Sequence, residues 1–117
     1  MPHCIIEYSA PLADKIDIKH LIQRVHHGAI DAELFERSAI KTRAIRCEDY
    51  QVGDNHLGSF IHITIKIMPG RTDEQKHHLL TTVYDSIAAE TSCVCSLTLE
   101  VIDINAKAYA KHLTSGR

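Results

Sequence analysis

The sequence is poor in most features that mark a specialised class. Its 117 residues include no Trp, only five Gly and three Pro, and no linker or low-complexity tract divides it. The longest apolar runs are far too short to cross a bilayer, and no secretory apolar region follows Met1. Neither charge sign dominates. Thirteen Lys and Arg against fifteen Asp and Glu leave a net charge of -2, which argues against a broad nucleic-acid footprint but permits a local anion site. Four Cys are few enough that a chain of this size needs no disulfide staples, so the expected compartment is the reducing cytoplasm. There is no HExxH, and Cys93-Val94-Cys95 has CxC rather than CxxC spacing with no second pair at zinc-site distance. A phosphate-cradling glycine loop, a Ser nucleophile elbow and a paired-acid motif are also missing. Nine histidines remain, and local bonding or solvation explains them better than a metal.

What is present is alternation. Isoleucines at 61, 63, 65 and 67 interleave with mostly polar residues, the period-2 signature of a strand over Phe60–Ile67. Pro69-Gly70 ends it. Thr72-Asp73-Glu74-Gln75 has the form of a capping box. Leu79, Leu80, Val83, Tyr84 and Ile87 then recur at helical spacing, which predicts a helix over about 73–90. Leu97, Leu99 and Val101 alternate as another strand. The first half repeats the plan more weakly. Cys4, Ile6 and Tyr8 open it as a strand, Ile18, Leu21, Ile22 and Val25 mark a helix over about 15–27, and Ala39 to Cys47 is extended.

These elements predict an α/β chain, an α+β two-layer sandwich covering 1–117 as one domain. It is a tandem β-α-β pseudo-repeat with a four-stranded mixed sheet and two helices on one face. The opposite face is left uncovered, with Phe60, His62, Thr64 and Lys66 on it. Burial of that face against other subunits is expected.

Pro2 is the first candidate for chemistry. Removal of Met1 would convert it into a secondary amine held at the start of a strand. Ordinary α-amino groups titrate near ~7.7–8.0, and desolvation or nearby cations lower that further. The plainer reading is that strands tolerate Pro at their first residue. Arg71 is the second, at a strand-to-helix junction where the positive helix end offers its charge nothing. Its guanidinium fork suits a carboxylate, or it is a solvated loop residue. Lys41 and Arg43, two apart, share one strand face, with Arg46 nearby. Cys4 and Cys47 fit packing better than reaction. Phe35, Tyr50 and Phe60 could line an apolar pocket, or simply pack in the core.

Taken together, Pro2-His3-Cys4-Ile5-Ile6-Glu7-Tyr8-Ser9, Ile40-Lys41-Thr42-Arg43, and Phe60 to Ile67 followed by Gly70-Arg71 resemble the 5-carboxymethyl-2-hydroxymuconate isomerase family of the tautomerase superfamily. Gly70-Arg71-Thr72-Asp73-Glu74-Gln75-Lys76 is also similar to the small 4-oxalocrotonate tautomerases. The resemblance implies a double β-α-β fold, a homotrimer and catalysis without a cofactor. It implies Pro2 as general acid/base and Arg71 as the group that polarises a substrate carboxylate or dienolate. Lys41 and Arg43 would bind an anionic substrate, an unsaturated 2-hydroxy or 2-oxo polycarboxylate. Lys41 stands where the family leads one to expect Arg, so it neutralises charge without a bidentate fork. Tyr109 is expected at a subunit contact. Two other readings fit the same residues. One is a different proline-dependent tautomerase or hydratase acting on a small unsaturated 2-oxo acid. The other is a non-enzymatic oligomeric binding protein that retains the fold.

Overall fold

The structure is a computed structural model, and it describes residues 2–54 and 57–114. Met1, on whose removal the Pro2 reading depends, and the last three residues of the expected domain lie outside the described residues. Six main elements run in order: β1 (His3–Ser9), α1 (Ile18–Asp31), β2 (Lys41–Cys47), β3 (Phe60–Ile67), α2 (Asp73–Ile87) and β4 (Ser96–Asp103). The sheet order is β2-β1-β3-β4. β1 and β2 are parallel, as are β3 and β4, while β1 and β3 pair antiparallel at the centre. Two β-α-β halves thus meet along β1 and β3, and both helices cover the same face.

Local chemistry explains the boundaries. Strand β3 spans the full Ile-alternating run, and all four isoleucines are completely buried. Each contributes about 1.5–3 kcal/mol by leaving water. The capping box before α2 closes in both directions: the Gln75 N–H donates to Thr72 Oγ1 at 3.1 Å, and the Thr72 N–H donates to Gln75 Oε1 at 2.8 Å. Helix α1 departs from expectation at both ends. It starts at Ile18 because the Asp17 side chain accepts from the His20 N–H at 3.2 Å. It continues past Gly28 to Asp31. At that glycine α2 packs close against α1. A Cβ built there would lie 2.7 Å from Ser86 Oγ and 3.0 Å from Val83 Cα. Leu21, Val25 and Ala29 on α1 and Leu79, Val83 and Ile87 on α2 complete the core against Cys4, Ile6 and the β3 isoleucines.

The register assigns the other face. His3, Ile5 and Glu7 of β1 lie beside Lys41, Arg43 and Ile45 of β2 and beside Lys66, Thr64 and His62 of β3. No helix covers them. The accessible surface is 7361 Å², above the ~6,400 Å² typical of a closed monomer of this mass. An open sheet face is one source of that excess.

Candidate active site

Four segments come together at one end of the sheet. Strands β1 and β2 begin there, and β3 ends there, since His3 pairs with Lys41 on one side and Lys66 on the other. Pro2 immediately precedes β1. Its ring is fully buried, and its carbonyl accepts the Lys41 N–H at 3.1 Å, so the peptide ladder holds the position in place. The loop Met68-Pro69-Gly70 carries the chain from β3 to Arg71 at this same end. Gly70 has φ +119°, a backbone conformation that side chains strain to adopt.

Arg71 is exposed but not loose. Its guanidinium donates to the Leu34 carbonyl and lies over the Phe35 ring, 5.6 Å from the centroid. The connection between α1 and β2 therefore supplies both supports. Phe35, Met68, Pro69, Gly70 and Arg71 line an open pocket of ≈ 290 Å³. An aromatic wall under a guanidinium leaves the outer edge of the fork available to a carboxylate.

Lys41 and Arg43 project from the uncovered face. Lys41 Nζ donates to the Ala39 carbonyl at 3.2 Å, and Arg43 Nη1 donates to His3 Nδ1 at 3.3 Å. His3 Nε2 lies 3.0 Å from the Tyr109 hydroxyl. Partial burial, reinforced by Arg43, Lys41 and Lys66, holds the His3 pKa below its ordinary 6.5. Its imidazole is accordingly neutral at pH 7. Cys4, next along β1, is a packing residue: burial pushes its thiol up to about 11.

Within one chain the expected residues share an end of the sheet but not a single cavity. Arg71 lines the pocket with Phe35. Arg43 lines another with His3, Lys66, Ile104 and Tyr109, and Pro2 lines neither. Of the three aromatics named from sequence, only Phe35 is at this site. Tyr50 lines a cavity of ≈ 210 Å³ at the far end of the strands, and Phe60 packs edge-on against it at 5.5 Å. His62 is bonded locally to Thr98 and Glu100, each at 2.6 Å. Sequence reasoning missed His3 and Lys66. Alternation put Lys66 on the uncovered face and could have put His3 there, but their adjacency depends on the β1–β3 register. Among the described residues no three His, Cys, Asp or Glu side chains gather in a way that could hold a metal ion, and no helix is long and apolar enough to cross a membrane.

A family model described as 5-carboxymethyl-2-hydroxymuconate isomerase matches residues 2–114. No curated protein sequence matches. Solved structures do. A 5-carboxymethyl-2-hydroxymuconate delta-isomerase superposes with TM-score 0.84 at 16% identity, covering 97% of this chain and 89% of that one. A 5-carboxymethyl-2-hydroxymuconate isomerase from Deinococcus radiodurans R1 gives 0.77 at 23% identity, covering 97% and 90%. A fused 4-OT protein described as a symmetric trimer gives 0.72 at 14% identity, covering 94% and 93%. At such identities the structural likeness shows the fold.

Proposed function

The chain belongs to the 5-carboxymethyl-2-hydroxymuconate isomerase family, and from that premise we propose that it isomerises 5-carboxymethyl-2-hydroxymuconate or a closely related unsaturated 2-hydroxy polycarboxylate, with Pro2 as general acid/base. At the coarser level it is a tautomerase-superfamily enzyme acting on a small unsaturated acid. The observation that carries the finer reading is the convergence of Pro2, Lys41, Arg43 and the Arg71 segment on one end of the sheet.

In this reading Met1 is removed and the Pro2 nitrogen becomes a free amine. Burial of the ring and the nearby cations favour the uncharged form. The amine takes the proton from the substrate 2-hydroxyl. Electrons shift through the conjugated chain, and the proton returns from Pro2 to carbon 5, so the double bond moves between them. Arg71 holds one carboxylate and offsets the negative charge of the dienolate as it develops. Lys41 and Arg43 bind a second carboxylate. No redox partner is needed, because the substrate and product are isomers.

The whole chain acts as one tautomerase-like domain in a cytoplasmic homotrimer. Support for assembly comes from the bare sheet face, where Ile45 is 47% exposed, and from the symmetric trimer of the fused 4-OT relative. Its four unpaired cysteines suit a reducing compartment.

Arg71→Ala tests the assignment. The side chain is exposed, so the fold should be kept while kcat/KM falls about 100- to 1,000-fold, as for loss of one charge-stabilising donor. A near-wild-type rate would reject the role of Arg71.

A further inference from the structure

The pocket on the uncovered face is lined mostly by side chains that can donate hydrogen bonds. It has a volume of ≈ 260 Å³ and is lined by His3, Arg43, Lys66, Ile104 and Tyr109. Two lining residues are cations and none is a carboxylate. The hydrogen bonds inside it have a fixed direction. A guanidinium can only donate, so Arg43 Nη1 donates to His3 Nδ1, which is therefore the accepting nitrogen. The imidazole proton must then lie on Nε2, which donates to the Tyr109 oxygen. Because that oxygen is already accepting, the Tyr109 O–H is free to donate in turn. The Lys66 side chain has neither a hydrogen bond nor an ion pair among the described residues. The acids of this face stand further along the strands: Glu7 is opposite His62, and Glu100 is bonded to His62 at 2.6 Å. Among the described residues the cations of the pocket thus lack a counter-charge.

Position connects this pocket to the proposed base. His3 follows Pro2 directly, and Lys66 is its cross-strand partner on β3, one strand spacing of ~4.8 Å away. Lys66 and Arg71 stand before and after the Met68-Pro69-Gly70 turn in the chain, at the same end of the sheet.

We propose that this pocket is a carboxylate subsite in which Lys66 and the Tyr109 hydroxyl bind a further carboxylate of the substrate, Lys66 being the residue that selects polycarboxylates. The inference rests on the isomerase reading for its substrate but not for its binding chemistry. Arg43, which binds the second carboxylate in that reading, borders the subsite, and His3 is a positioning residue that transmits its polarity to Tyr109. Tyr109 has a role within its own chain, beyond the subunit contact expected from sequence.

The test uses tricarballylate, an unreactive tricarboxylate, and calorimetry at fixed ionic strength with the full chain. Lys66 is exposed, so Lys66→Gln should fold normally. It should weaken tricarballylate binding about tenfold, a loss of about 1.4 kcal/mol, while Lys66→Arg stays within about threefold of wild type. Tyr109→Phe, which keeps the ring, should weaken it about threefold. In turnover, Lys66→Gln should raise KM with kcat nearly unchanged, the mark of uniform binding. Lys66-dependent binding by a protein that isomerises nothing would uphold the subsite and sink the isomerase reading. Turnover with KM and binding indifferent to Lys66 would do the reverse. Wild-type protein that binds no tricarballylate overturns the subsite. Unchanged binding together with a looser oligomer also overturns it, assigning the cations to a subunit contact.

Discussion

On the helix side of β3, Ile61, Ile63, Ile65 and Ile67 are fully buried, whereas Phe60, His62 and Lys66 of the same strand remain accessible on the other side. The neighbouring strand repeats the division: Cys4 and Ile6 sit in the core, and His3 faces the open side beside Lys41, Arg43 and Lys66. Alternate residues of one strand therefore answer to different pressures. The covered side closes a small core, and the open side collects charge at the end where Pro2 begins. A one-residue slip in register would exchange the two.

The contrast can be broken most strongly from the covered side. Ile63→Ala should destabilise the fold by about 2–5 kcal/mol, read as a lower denaturation midpoint. Ile45→Ala, on the open side and 47% exposed, should leave the monomer fold within about 0.5 kcal/mol and act instead on subunit association. Light scattering would detect that as a shift from three times the 13.1 kDa chain mass towards one. Equal losses of fold stability from both changes would erase the distinction between the faces.

A smaller effect is expected at Gly28. Alanine normally strengthens a helix interior by about 1 kcal/mol, but here its Cβ would meet the Val83 backbone and Ser86. Gly28→Ala should therefore destabilise by about 1–3 kcal/mol, measurable by chemical denaturation. A stabilised variant would show that the helices can part at no cost.

The smallest effect is a pH dependence at His3, on the open face. Burial and the charges of Arg43, Lys41 and Lys66 hold its folded pKa below 6.5. The unfolded chain thus binds the proton more readily, and the stability tied to neutral His3 is complete above pH 6.5. It is lost as the pH falls through the folded pKa. Protonation would also turn Nδ1 into a donor facing the guanidinium of Arg43, leaving Tyr109 as the one remaining acceptor for the ring among the described residues. Denaturation midpoints between pH 7.5 and 5 should fall more for wild type than for His3→Gln. Added salt should narrow the gap, because the group is partly exposed. Parallel curves would remove His3 from the network.

How much of this could be read in advance depended on whether the cause was local. Strand β3 could be located to the residue because its isoleucines carry the period themselves. The start of α2 followed from Thr72 and Gln75, whose bonds span only three residues. Helix α1 was harder. Asp17 is one of two acids near its start, with Asp14, and nothing local places Gly28 inside the helix, where Val83 and Ser86 of α2 pack against it. Pro2, Lys41, Arg43 and Arg71 could be nominated by type and position. Lys66 could not, because a lysine on a strand acquires meaning only when His3 is paired opposite it. Phe35 was legible as an aromatic, but its seat beneath Arg71 joins segments 36 residues apart in number.

The central claim is that Pro2 works as an uncharged amine at neutral pH. The most direct measurement is an NMR titration of the Pro2 nitrogen in protein whose mass shows Met1 removed, with activity followed in the same samples. The expected midpoint lies below the ordinary α-amino range of ~7.7–8.0, with activity that rises as the amine loses its proton. Full activity in protein that verifiably retains Met1, or an amine still protonated where the rate is maximal, would contradict it.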